Sequence, residues 1–340
     1  MKVILFLFLM LTVKAGLSQE KKTYSIRTIA FYNVENLFDT ENDSLTFDDD
    51  RTPGGKDQWT NDRYEKKIAN ISKVLSEIGV GISKTSPDII GLCEVENKSV
   101  VEDLIHHENL NDKNYGVIHF DSPDERGIDV ALLYNPLHFV PDTSYVIELP
   151  LYNGEERKYT RDILFVKGML DGEEMGFFVN HWPSRRGGQE ASEPKRLQAA
   201  TVLRTKIDSI LIRDQNAKIV SMGDFNDYPN NNSMTEVMNC EPGANHQLTN
   251  LTHRFHEDGI GTYNYRGEWG MLDQFIVSDG LLYSQKGCAA SDSNVVVFKE
   301  DWMLYFPKEG EPSPSKTYGG PNYYGGYSDH LPIRMTLYCN

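Results

Sequence analysis

The chain has 340 residues, a formal net charge of −16 and 39% hydrophobic residues, enough apolar material for one large domain or two. No Lys/Arg tract offsets the acidic balance, which at long range weighs against a polyanionic partner. A metal ion held in a site would reverse that sign locally.

The first residues read as an export signal: Lys2, an unbroken apolar run from Val3 to Leu11, then Gly16 and Ser18. This is the layout of a secretory signal peptide over residues 1–18. Its apolar run is too short for a stable membrane anchor, and no cysteine near its end could carry a lipid. Residues 19–340 then make a single exported domain, periplasmic or secreted, with no linker or internal repeat to divide it. The cysteines Cys93, Cys240, Cys288 and Cys339 leave their pairing open and match no zinc spacing. Cys93 sits inside an apolar strand, where a plain buried thiol is expected.

In chain order, an apolar strand over residues 25–32 (Ile26, Ile29, Phe31) leads into Asn33 and Glu35. Polar side chains two apart at a strand end face the same side. Residues 39–59 form an acidic surface loop whose carboxylates lack the order of an EF-hand. Asn61 caps a helix with Ile68, Ile71, Leu75 and Ile78 at helical spacing, ended by Gly79 and Gly81. Residues 88–94 are a buried strand with Glu94 at its C-terminal end, and a short helix covers residues 99–107. Strands follow over residues 115–120, 129–134, 144–149, 162–170 and 175–180. Arg126 lies in the loop before the second of these and Arg161 just before the fourth. The last is followed by His181, Trp182, Pro183, Ser184, Arg185, Arg186 and two glycines, a grouping that suits an anion.

Glu193 and Pro194 open the longest helix, which runs to Arg213. A strand from Ile219 then enters Gly223, Asp224, Phe225 and Asn226, presenting a carboxylate and a carboxamide together while Phe225 turns to the core. A weak helix follows Asn232. Residues 262–278 alternate and carry Asp273 in an apolar run, where a buried carboxylate needs a partner. Residues 306–327, rich in Pro, Gly, Ser and Tyr, read as a long mobile loop that delivers Asp329 and His330 to a final strand over residues 333–338. Many short strands, few helices and polar residues at one strand end after another imply two packed sheets, helices outside and a site at one rim.

These motifs, in this order, resemble the endonuclease/exonuclease/phosphatase superfamily over most of the chain, from Ile26 to Tyr338. The matching pieces are Asn33 with Glu35 (where many members carry Asp), Glu94 in Gly91-Leu92-Cys93-Glu94, and His181. Gly223-Asp224-Phe225-Asn226, Asp273 and Ser328-Asp329-His330 complete the set. The resemblance implies a DNase I-like four-layer α/β sandwich, two packed mixed β-sheets flanked by helices, that hydrolyses a phosphoester with Mg2+ or Mn2+. It makes Glu94 the principal metal ligand, with Glu35, Asn33 and Asp329 nearby, directly or through water. His330, oriented by Asp273, takes a proton from water, and Asp224 positions or activates that water. Asn226 and His181 donate hydrogen bonds to phosphate oxygens, and Arg161 and Arg126 clamp the phosphate.

Three substrate readings follow. A nuclease or phosphodiesterase is the first, with Tyr323, Tyr324 and Tyr327 stacking bases. The second is a phosphatase or phosphodiesterase for a small molecule or lipid headgroup, which the acidic surface tolerates better. The third is a non-catalytic binding module, disfavoured because no motif position is lost. No protein partner is indicated.

Overall fold

Alternation along the first strand sets the architecture. In β1 (Ser25–Leu37), Ile29 and Phe31 join one apolar layer while Ala30 and Tyr32 join another. All four are fully buried, so the strand is covered on both faces. A computed structural model describes residues 24–153, 155–243 and 247–340; the export signal read at residues 1–18 lies outside them.

The first sheet places β1 at its centre. Beside it run β2 (Ile89–Val95), parallel, and the C-terminal β15 (Ile333–Cys339), antiparallel. β4 (Asp129–Tyr134) and β3 (Gly116–His119) extend the β2 side, and the short β13 (Cys288–Ala289) and β14 (Val295–Val297) both pair with β15. The second sheet pairs β8 (Lys218–Asp224) with β7 (Glu173–His181) in parallel and with β12 (Asp273–Ser278) antiparallel. β6 (Ile163–Leu170) and β5 (Phe139–Ile147) continue beyond β7, and β9 (Leu248–Asn250) lies beyond β12.

Phe31 belongs to the inner layer: with Phe177, Val179, Met222, Phe275 and Met335 it fills the space between the sheets. Truncating one of these rings, Phe177 for example, is expected to cost about 3–5 kcal/mol. The outer face of the first sheet is covered by α1 (Asn61–Glu77) and α2 (Lys98–His106) through Ile68, Ile71, Leu75, Val101 and Leu104. The outer face of the second sheet is covered by α3 (Gln189–Leu211) through Ala199, Ala200, Leu203 and Ile207. The result is the expected sandwich of helix, sheet, sheet and helix. Among the described residues no helix is long and apolar enough to cross a membrane.

Several boundaries differ from the sequence reading. α3 opens at Gln189, so Pro194 lies inside its second turn, where it removes only one hydrogen bond near the helix start. The segment after Asn232 winds as a π-helix over Ser233–Met238. The alternating stretch before Asp273 is a hairpin, β10 (Tyr263–Tyr265) and β11 (Glu268–Gly270). Residues 306–327 are a tethered strap rather than a mobile loop. Lys67 Nζ donates to Thr317 Oγ1 at 2.6 Å and to the Tyr327 carbonyl at 2.7 Å. Asn70 Nδ2 donates to the carbonyls of Gly325 and Gly326. Cys288 and Cys339 form a disulfide across β13 and β15, and Cys93 and Cys240 are buried free thiols.

Candidate active site

Topology gathers the polar strand ends at one rim. β1, β2, β7 and β8 deliver their C-terminal ends there, while the antiparallel β12 and β15 begin there. In register, Asp224 of β8 is flanked by His181 of β7 on one side and Asp273 of β12 on the other. His330, just before β15, reaches across the sheets: its Nδ1 lies 2.7 Å from Asp273 Oδ2 and its Nε2 lies 3.9 Å from Asp224 Oδ2. His181 Nε2 stands 3.8 Å from that same oxygen and 3.7 Å from Glu94 Oε1. Asn33 Nδ2 donates to Asp224 Oδ2 at 3.1 Å.

The backbone bends sharply at this rim. Glu35, Asn36, Glu94 and Asn226 all have positive φ, between 50° and 62°, a conformation that Asn adopts readily but that costs Glu35 and Glu94 about 1–2 kcal/mol each. The β1–β2 and β2–β4 registers break at Glu35–Asn36 and at Glu94. Strain of this kind is held where surrounding structure over-determines it, commonly at functional sites.

The bends change the roles read from alternation. Glu35 does not join Asn33 in the cleft: its carboxylate accepts from the N–H groups of Thr317 and Tyr318 and lies 3.7 Å from Lys67 Nζ. Glu35, read as a metal ligand directly or through water, is thus turned from the cleft and anchors the strap. Arg161 is corrected as well. It is buried outside the cleft lining, paired with Asp124 at 3.0 Å and donating to the Trp182 carbonyl at 2.7 Å, with only Nε lacking a partner. Asn226 donates Nδ2 to that same carbonyl at 3.0 Å, and its N–H donates to Asp224 Oδ1. Phe225 turns inward against Trp182 as expected.

Glu94, Arg126, His181, Asp224, Asp329 and His330 all line one cleft of about 620 Å3. Its other wall is the β10–β11 hairpin, where the Tyr263 ring packs on His330 at 4.9 Å. The sequence reading noticed alternation there but not a turn at Arg266-Gly267, and so missed Tyr263. A larger hollow of about 850 Å3 around His253, Arg254 and Asp292 holds none of these groups.

Charge in the cleft is polarised. Burial pushes the Asp224 carboxyl up to about 6, with Asp273 and Glu94 adding and His330 opposing. Burial, then Glu35 and Glu94, push Asp329 up to about 7. Burial would lower His330, but the charge and hydrogen bond of Asp273, joined by Asp224 and Asp329, hold it well above the usual imidazole range. His181 goes the other way, lowered by burial and by Arg161 and Arg126. One imidazole is thus held charged and the other neutral. Crowded carboxylates such as Glu94 and Asp329 are relieved by a hard divalent cation with oxygen ligands, so the donor set fits Mg2+ or Mn2+.

A double-sheet sandwich with a His–Asp pair and clustered carboxylates at one rim defines the DNase I-like class. The model of the Endonuclease/Exonuclease/phosphatase family matches residues 28–338, and the chain belongs to that family. Its solved structural neighbours include a humanized D. rerio TDP2, at 13% identity and TM-score 0.56, covering 92% of this chain and 98% of that one. A family protein from Bacteroides thetaiotaomicron aligns at 17% identity and TM-score 0.55, covering 94% and 96% of the two chains. A mannosyl-6-phosphatase from Bacteroides thetaiotaomicron VPI-5482 aligns at 18% identity and TM-score 0.54, covering 92% and 99%. At such identities the likeness establishes fold. No curated protein matches by sequence.

Proposed function

We propose that the chain is a divalent-metal-dependent hydrolase of small phosphoesters. The observation that carries this reading is the convergence on Asp224 of two imidazoles, each 3.8–3.9 Å away, beside the Glu94 and Asp329 carboxylates. Those gaps are too long for direct hydrogen bonds and suit inserted oxygens of water or phosphate.

Glu94 and Asp329 would hold the metal, with Asn33 oriented beside them by its hydrogen bond to Asp224. Bound there, Mg2+ or Mn2+ would offset the charge of the phosphoryl oxygens and of the leaving oxygen. Asp224, an acceptor with its carboxyl near 6, takes the proton from the attacking water. The sequence left that task open between Asp224 and His330. Its raised proton affinity instead makes it an imidazolium donor to the phosphate, with Asp273 fixing its orientation. Neutral His181 binds a remaining phosphate oxygen, Asn226 offers the second hydrogen of an amide whose first is given to the Trp182 carbonyl, and Arg126, exposed at the cleft edge, attracts the substrate.

A small substrate is favoured over a polymer by the concave cleft and by the tyrosines. Tyr323 packs against Tyr318 and lies beneath Arg63 at 4.3 Å, and Tyr327 packs against Trp302, which leaves only Tyr324 of the three exposed for base stacking. Export through a leader at residues 1–18 belongs to the same proposal, supported by the Cys288–Cys339 disulfide, since such bonds persist in oxidising compartments.

The test is a substrate panel with Mg2+ or Mn2+: bis-p-nitrophenyl phosphate, sugar phosphates, phosphorylated lipid headgroups, RNA and plasmid DNA. Hydrolysis of small esters with slower or no polymer cleavage is expected. Cleavage of polymer alone would return the nuclease reading, and bound metal without turnover on any of them would leave a binding module.

A further inference from the structure

We infer that the cleft contains a second anion subsite, built on Arg185 and Arg186, so that the preferred substrate is a small phosphoester carrying another phosphate. This inference rests on the phosphoester reading of the site and narrows it.

Arg185 is held rather than free. Its Nε donates to the Asn226 carbonyl at 2.8 Å and its Nη2 to Asn231 Oδ1 at 3.0 Å. Its guanidinium lies over the Tyr228 ring at 3.8 Å, and the other stacking partner of that ring is His256 at 5.1 Å. A guanidinium fixed on a stacked aromatic loses little entropy when it binds an anion. Its nearest carboxylate, Asp227, is 3.6 Å away but already bound by Arg196 at 2.6 Å, by Gln189 and by Ser233. One carboxylate therefore serves two arginines, and a positive charge is left over between Arg185 and Arg196.

Arg186 follows on the cleft wall and forms no ion pair among the described residues. Gly187 and Gly188 come next, at φ of 90° and 108°, with open space where a Cβ would stand. They lead into α3, whose N-cap, Gly188, offers no side-chain cap and whose first turn carries Glu190. Two arginines, an open glycine backbone and a helix start thus line the same cleft as Glu94, Glu268 and Asp329. The scissile phosphate belongs with the metal ligands and the imidazoles. The arginines are then left for a second phosphate, whose oxygens match the guanidinium fork. In a chain of net charge −16, this local concentration of positive charge selects a compact dianion over a long polyanion.

The experiment compares steady-state kinetics of the full chain, with Mn2+, on two matched pairs: fructose 1,6-bisphosphate against fructose 1-phosphate, and adenosine 3′,5′-bisphosphate against adenosine 3′-phosphate. At least one bisphosphate should be preferred in kcat/KM by about tenfold or more. Arg186→Ala and Arg185→Lys should each shrink that preference, through KM rather than kcat. Equal kcat/KM within both pairs, or a preference surviving both substitutions, would overturn the subsite. If none of the four compounds nor bis-p-nitrophenyl phosphate is hydrolysed, the hydrolase reading fails. Calorimetric binding of the same pairs then decides the subsite: an Arg186-dependent preference for the bisphosphate keeps it, and equal or absent binding removes it.

Discussion

Asp273 shows how one side chain can set the chemistry of another. It is fully buried, and its carboxylate is what keeps the His330 imidazolium charged against the cost of burial. Activity should therefore need Asp224 ionised and His330 protonated, giving a bell-shaped pH–rate profile. The acid limb is expected near 6, where the Asp224 carboxyl loses its proton. The alkaline limb follows His330, whose proton is lost only well above the ordinary imidazole range. Removing the negative charge in Asp273→Asn lowers His330's affinity for that proton, so the alkaline limb should move to lower pH. An alkaline limb unmoved by this substitution would remove Asp273's assigned role. Asp224→Asn should lower kcat by about 10²–10⁴-fold, measured on bis-p-nitrophenyl phosphate with the metal saturating.

At this scale the sequence was informative wherever a motif residue's neighbours are close in the chain. Asp224 and Phe225 sit as alternation required. Glu35 and Arg161 are directed away from the cleft that alternation suggested, and both displacements have one cause. The bulge at Glu35–Asn36 and the partner Asp124 depend on contacts from distant segments, and periodicity carries no information about those.

Among the elements, the strap over residues 306–327 was misjudged from composition alone. Its Gly and Pro content signals irregular backbone, not mobility. The ties that order it come from α1, through the fully buried Lys67 and through Asn70. The strap runs directly into Ser328, whose Oγ donates to the Asn33 carbonyl at 2.7 Å and accepts from the His330 N–H at 3.1 Å. Lys67→Met should thus unseat the catalytic end of β15 as well as destabilise the fold by about 2–4 kcal/mol. Denaturant unfolding measures the stability term. A fall in kcat for the fraction still folded measures the positioning term, and undiminished kcat would confine Lys67 to stability. The strands and main helices were legible because both faces of each sheet are covered, so their apolar pattern is dense and bounded by turn residues.

At the scale of the molecule, two sheets meet so that segments far apart in the chain share one rim. The disulfide between Cys288 and Cys339 closes a 51-residue separation at the first sheet's edge. Replacing both cysteines by Ser should lower stability by about 2–4 kcal/mol without changing kcat, since neither residue lines the cleft. Thermal unfolding and turnover, measured together, check both halves. Which cysteines pair was closed to sequence reasoning because it depends on the strand order, with β13 alongside β15.

The central claim is that a divalent cation works at Glu94, next to Asp224 and His330. Its most direct test is the Mn2+ dependence of phosphoester turnover in wild type and in Glu94→Gln. The account predicts no turnover in EDTA, recovery on adding Mn2+, and a half-saturating Mn2+ concentration raised by about tenfold or more in the variant. Turnover that persists in EDTA, or identical Mn2+ titrations for the two proteins, would contradict it.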